Sequence, residues 1–225
     1  MALNITIPVA TLLSTDNISA YSTNNFTPSA DSILVVFVRA FATTTGVNIL
    51  SGGNLTWNLI ASTVPYAAAT VQAEWIFYAA VGSSPVFMNV MFDCTGDQGT
   101  GCAIQIFQVT GYNIGSPIAQ FSSGSEGSTS NPTFTLSQNM NTNNAYMYVV
   151  ANSNSLNATA PSGWTEAVDD ITPVSPSYGL QAAYRVNGES GNTVLPVFTG
   201  GTPSQFGFVE VAVSGAPLVA YIKAA

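Results

Sequence analysis

The sequence predicts an all-β protein, an antiparallel β-sandwich of jelly-roll type built from two pseudo-repeats. Helical periodicity is nearly absent along the 225 residues, and short β-rich runs recur between Gly, Pro, Asn and Ser clusters. The same aromatic and glycine landmarks also come round twice. A chain of this length can bury a substantial core, as one large β domain or as two small ones.

Taken in order, residues 1–25 read as an N-terminal arm, and repeat one occupies 26–115. Its strands are expected at "SILVVFVRAFA" (32–42), "LTWNLIAST" (55–63), "TVQAEWIFYAAV" (70–81), "PVFMNVMFD" (85–93) and "AIQIFQVTG" (103–111). A Gly/Ser-rich linker, 116–131, contains a strand-like "PIAQF" that a flexible tether would not carry. Repeat two, 132–216, offers "AYMYVVAN" (145–152), "WTEAV" (164–168), "GLQAAYRV" (179–186), "TVLPVF" (193–198) and "FGFVEVAVSG" (206–215), and residues 217–225 form a C-terminal tail.

Trp57, Tyr78 and Gly111 line up with Trp164, Tyr184 and Gly215 at offsets of 107, 106 and 104 residues. Around them "FQVTG" parallels "VAVSG", and "ILVVFV" parallels "AYMYVV". Each copy is too small to stand comfortably alone, so a single sandwich in which one copy covers the edges of the other is expected, ahead of two tandem sandwiches. Trp57 and Trp164 are read as core plugs, each worth roughly 2–3 kcal/mol of burial, rather than as ligand platforms, because a position repeated by the fold needs no ligand to explain it.

Charged residues make up 6% of the chain and the net charge is −8, with Arg39, Arg185 and Lys223 as the cations and no histidine. Ordinary domains carry about a quarter charged residues. Too few cations are present to displace counterions from phosphates, so no nucleic-acid partner is expected. The same shortage argues against a polybasic membrane anchor. The longest apolar runs, such as Ile33 to Val38, fall far short of a spanning helix, the N-terminal residues lack a basic signal-peptide region, and no membrane partner is expected.

Ser-His and Cys-His triads require an imidazole, and zinc or iron sites usually do too, so no enzyme, cofactor or metal is expected. The surviving catalytic option is a paired-carboxylate glycosidase, with Glu74 in "QAEWIFY" and Glu210 in "FGFVEVAV" as the pair. Strand alternation puts Glu74 with Gln72, Ile76 and Tyr78, and Glu210 with Phe206, Phe208 and Ala212. Both are read as solvent-facing or interface residues. Asp93 with Asp97, and Asp169 with Asp170, are read as turn formers rather than calcium ligands. Cys94 and Cys102 bracket a polar Gly-rich loop and either close a disulfide worth on the order of 2.5 kcal/mol or remain thiols, and the sequence does not choose between them.

The pattern "PSGWTEAV", then "LQAAYRV", a Gly turn and a final "VEVAVSG", present in two linked copies, resembles a family of double-repeat β-sandwich proteins of tailed-phage virions and bacterial surfaces. The first copy departs from it, with "GGNLTWNLI" in place of "PSGWT". The resemblance implies a structural or binding protein and carries over no catalytic residue. "ILVVFV" and "FVEVAV" alternate little, which leaves apolar surface for a neighbour. The resulting expectation is a capsid decoration (cement) protein on the outer surface of a phage head. It would contact the major capsid protein or another virion protein, with a homo-oligomer expected. A tail fibre-associated or receptor-binding protein is the runner-up, followed by a surface carbohydrate-binding module or adhesin.

Overall fold

The computed structural model of the chain describes residues 2–40, 49–63, 73–94, 99–124, 133–152, 158–174, 178–194, 197–198 and 203–214. Among these residues every regular element is a strand. In the first half they are β1 (Asn4–Thr6), β2 (Leu12–Ile18), β3 (Ala20–Ser22), β4 (Ser32–Ala40), β5 (Ile49–Ser51), β6 (Asn58–Thr63), β7 (Ala73–Ala80), β8 (Met91–Asp93) and β9 (Gly99–Thr110). The second half holds β10 (Ile118–Gly124), β11 (Phe134–Thr135), β12 (Ala145–Asn152), β13 (Ala158–Thr159), β14 (Thr165–Val174), β15 (Tyr178–Val186), β16 (Thr193–Val194), β17 (Val197–Phe198) and β18 (Pro203–Val211).

The protein is an all-β, antiparallel β-sandwich. One large sheet runs β1-β9-β4-β7-β6, with β2 also paired to β9, and the other runs β10-β18-β12-β15-β14. The two orders correspond strand for strand: each half places its last long strand between its N-terminal edge strand and its first central strand. The large sheets lie face to face. β6 meets β10 and β7 meets β18 on one side, while β1 meets β15 and β14 meets β2 and β9 on the other. A small sheet, β3-β8-β5, covers the outer face of the first large sheet, and the β11–β16 ladder packs on the outer face of the second.

This layering produces three cores and explains the strands that fail to alternate. In β4, Leu34, Val36 and Val38 point into the outer core beneath the small sheet, whereas Ile33, Val35 and Phe37 point into the seam between the large sheets. β12 divides in the same way, with Met147 and Val149 in the seam and Tyr146, Tyr148 and Val150 in the outer core of the second half. Each fully buried aliphatic contributes roughly 1.5–3 kcal/mol, so a central strand buried on both faces reads as continuously apolar. The neighbour that covers the second face of "ILVVFV" is therefore the other half of the same chain. Phe107 makes the link visible, packing edge-on to Phe37 at 5.8 Å within its own sheet and to Tyr184 at 6.0 Å across the seam.

The structure adds elements that side-chain patterning does not show. Most of residues 4–22, read as an arm, lie in strands: β1 and β2 pair with β9, Asn4 facing Thr110 and Leu12 facing Ile104, and β3 pairs with β8. "PIAQF" lies largely in β10, an edge strand of the second large sheet hydrogen-bonded to β18. The strand expected over 85–93 is shorter, being confined to Met91–Asp93 with an isolated bridge between Met88 and Phe26.

Candidate contact surface

Trp57 and Trp164 both sit against outer cores. Trp164 is buried and packs on Tyr146 and Tyr148, and its Nε1 donates to Glu189 Oε1 at 2.8 Å. The same carboxylate oxygen accepts from Arg185 Nη1 at 2.5 Å, which ties the "GWTEAV" turn to the end of β15. Trp57 is half-buried, and its Nε1 donates to Gly52 O at 3.3 Å. Tyr78 and Tyr184 both border the seam. Gly111 is at φ +76°, and a Cβ there would stand 2.4 Å from the Ala2 carbonyl oxygen, so the close approach of the N-terminal segment to the end of β9 requires glycine. Gly215 lies outside the described residues.

The carboxylates Glu74 and Glu210 do not converge: Glu74 points from the first large sheet into the seam, and Glu210 lies on the outer face of the second. Glu74 is on the seam face of β7, opposite Arg39 of β4 in the strand register, with its Oε1 against Gly207 of β18. Both members of the Arg39–Glu74 pair are buried. Burial pushes the Glu74 carboxyl up to about 8, against the opposing pull of the Arg39 guanidinium. Glu210 points the other way from β18, into the outer core side, where Gln120 Nε2 donates to it at 2.5 Å, Asn144 Nδ2 at 2.7 Å and the Asn141 backbone N–H at 2.9 Å. Neither carboxylate faces solvent, and two acids on opposite sides of a strand cannot flank one glycosidic bond. Arg39, a cation inside an otherwise apolar strand, was the sequence signal for the buried partner of Glu74.

Cys94 and Cys102 stand as thiols rather than as the halves of a bridge, both buried in the outer core of the first half. The Cys94 Sγ–H donates to the Ser19 carbonyl at 3.2 Å, which directs it toward the β2–β3 connection. Burial, with Cys94 adding to it, raises the Cys102 thiol well above its ordinary range. No cluster of His, Cys, Asp or Glu suited to a metal ion occurs among the described residues. Asp93 and Asp169 are half-buried, Asp97 falls outside the described residues, and the side chain of Asp170 is not described.

Surface apolar residues remain. Ile114 is 81% exposed in the turn between the halves, and Phe87 is 70% exposed between β7 and β8 beside the exposed Val86. Leu59 on β6 and Phe121 on β10, 55% and 47% exposed, line a 620 Å3 groove between the edge strands of the two large sheets. Ile60, Tyr78, Ile118 and Ser137 complete most of its wall, and among the described residues no charged side chain lines it. Gln120 also borders it, but its amide is engaged inside the protein. Nε2 donates to Glu210 and to Gln138 O, and Oε1 accepts from Ser137 Oγ and the Gln138 N–H. These bonds use the full donor and acceptor capacity of an amide. Sequence reading did not single out Leu59 or Phe121; the strand-like "PIAQF" in a polar linker was the available signal.

No family model, curated protein or solved structure matches the chain.

Proposed function

We propose that this protein works by contact rather than chemistry, as a virion structural protein that decorates the outer surface of a phage capsid. The observation that carries the reading is the surface itself: Leu59, Val86, Phe87, Ile114 and Phe121 stand in solvent on a chain with 6% charged residues. Where such side chains gather, as Leu59 with Phe121 along the β6–β10 groove and Val86 with Phe87, the exposed apolar surface marks a place for another protein. The resemblance of the doubled "GWTEAV" and "VEVAVSG" pattern to virion β-sandwich proteins supplies the particular setting. The unalternating strands and most of residues 4–22 are engaged within the chain. The exposed apolar residues now bear the proposal.

The test is quantitative mass spectrometry of gradient-purified particles from the source, counting this chain against the major shell protein. Decoration predicts a ratio approaching that of the shell protein. A few copies per particle would move the protein to the tail, and absence from particles would overturn the virion assignment.

A further inference from the structure

We infer that Asn187 and Gly188, in the turn that follows β15, form a self-modification site at which the Asn187 carboxamide becomes a carboxyl with water as the only co-reactant. The chain contains a single Asn-Gly pair, and both of its residues are exposed. Glycine makes the pair reactive, because the Gly188 main-chain nitrogen can approach the Asn187 side-chain carbon with no Cβ of its own in the way. On giving its proton to solvent, that nitrogen bonds to the carboxamide carbon; the bond to the amide nitrogen breaks, and ammonia leaves with a proton from solvent. The product is a cyclic imide, which water opens at either carbonyl. One opening leaves an aspartate at position 187. The other carries the main chain on through the former side-chain carbonyl and makes it one methylene longer. Asn54 supplies an internal comparison: it is exposed and left-handed at φ +54°, as Asn187 is at +65°, but Leu55 follows it.

The fold holds this reaction back and ties its outcome to Trp164. The Gly188 N–H donates to Thr142 O at 2.8 Å, the Asn187 N–H donates to Asn144 O at 2.9 Å, and the Asn187 carbonyl accepts from Arg185 Nε at 2.9 Å. The attacking nitrogen must leave Thr142 and its peptide must turn, so the reaction passes through an opened turn. Three hydrogen bonds of ordinary strength slow it by about a hundredfold relative to an unfolded chain. Aspartate tolerates left-handed backbone, so the first product fits the turn. The lengthened product does not. Its extra methylene lies between the N–H that bonds Asn144 and the N–H that bonds Thr142, which puts the two donors out of step with those carbonyls and displaces Glu189 just beyond them. Glu189 Oε1 accepts from both Arg185 Nη1 and Trp164 Nε1, so the lengthened chain loosens the clamp that holds Trp164 on Tyr146 and Tyr148. This chemistry needs no partner and is independent of the virion reading.

Peptide mapping of the full-length chain after incubation at mildly alkaline pH tests it, with an isoaspartyl methyltransferase marking the lengthened product. Asn187 should convert well ahead of Asn54, and the chain held in urea should convert Asn187 about a hundredfold faster than the folded chain. Arg185→Met removes one of the three restraints and should speed conversion of the folded protein about fivefold, leaving the rate in urea unchanged. The lengthened fraction, separated from the aspartate product by chromatography, should melt below wild type, whereas Asn187→Asp should melt close to it. An Asn187 that persists in urea, an Asn54 that converts as fast as Asn187, a folded chain that converts as fast as the unfolded one, or a lengthened fraction as stable as wild type would each overturn the inference. None of these outcomes bears on the copy number of the protein in purified particles, so the two proposals fail separately.

Discussion

Gly207 is the position where the closure of the two large sheets is most exposed to a single methyl group. A Cβ at this site in β18 would lie 2.3 Å from Glu74 Oε1, 2.8 Å from Ile76 Cδ1 and 3.1 Å from Phe37 Cε1, all belonging to the opposite sheet. Favourable contacts between such atoms lie at about 3.5–4.0 Å, so either the seam opens by about 1 Å or Glu74 swings off Arg39. Overpacking of this kind costs about 1–3 kcal/mol, and displacing a buried carboxyl that lies opposite a buried guanidinium adds to it. Replacing a strand glycine with alanine returns about 0.5–1 kcal/mol through the backbone. Gly207→Ala should therefore destabilise the protein by about 2 kcal/mol, read as a lower urea midpoint at an unchanged m-value. In an Arg39→Met/Glu74→Ala background the nearest clash is gone and the buried pair is removed together, so the same substitution should cost at least about 1 kcal/mol less. A Gly207→Ala protein as stable as wild type, or an equal cost in both backgrounds, would refute the placement of Glu74 against β18.

Three further outcomes follow from the buried polar groups. Because Glu74 is held at about 8 against an ordinary value of 4.5, the folded state binds its proton more tightly than the unfolded chain. That contribution is complete below pH 4.5 and lost as pH rises through 8, at about 1.4 kcal/mol per pH unit; Glu74→Gln should remove this slope in urea unfolding measured between pH 5.5 and 7.5, and an unchanged slope would sink the assignment. Glu210→Ala strands donors from Gln120, Asn144 and Asn141 and should cost about 3 kcal/mol, measured by the same unfolding assay, with a change below about 1 kcal/mol counting against the network. A disulfide-exchange reagent should find the native cysteines unreactive, since both are buried and burial holds the Cys102 thiol high. Denaturation without reductant should release both thiols, whereas their absence after unfolding would show a bridge.

How much of this was legible depended on whether a feature lives in side-chain pattern or in backbone pairing. The central strands were readable because burial of both faces leaves its mark directly in "ILVVFV" and "AYMYVV". The identity of the covering neighbour was not readable. Periodicity records that Val35 and Val36 are both buried, not that Val35 meets the second half of the same chain while Val36 lies under β3, β8 and β5. β2 was hidden for the complementary reason: "LLSTDNI" is half-buried to exposed along its length, and its place on β9 comes from main-chain hydrogen bonds that any residue but proline can make. Alternation correctly put Glu74 on the face of Ile76 and Tyr78, yet that face looks into the seam, where only the facing Gly207 leaves room for a carboxylate.

The same distinction separates what can be known of the function. A catalytic site requires particular atoms at particular spacings, and its residues announce themselves in sequence. A contact surface requires only that apolar side chains be left uncovered once the core has formed, and Leu59, Phe87, Ile114 and Phe121 are chemically no different from the residues that fill the seam. The exposure of Leu59 and Phe121 follows from where the edges of the sheets fall: β6 and β10 end their sheets side by side, and the groove lies between them. The number and placement of strands, more than the composition of any one of them, therefore create the surface on which the proposed contacts depend. Substitutions that leave every core residue intact but shift the register of β10 against β18, already broken between Ile118 and Gln120, should alter that surface without altering stability in proportion.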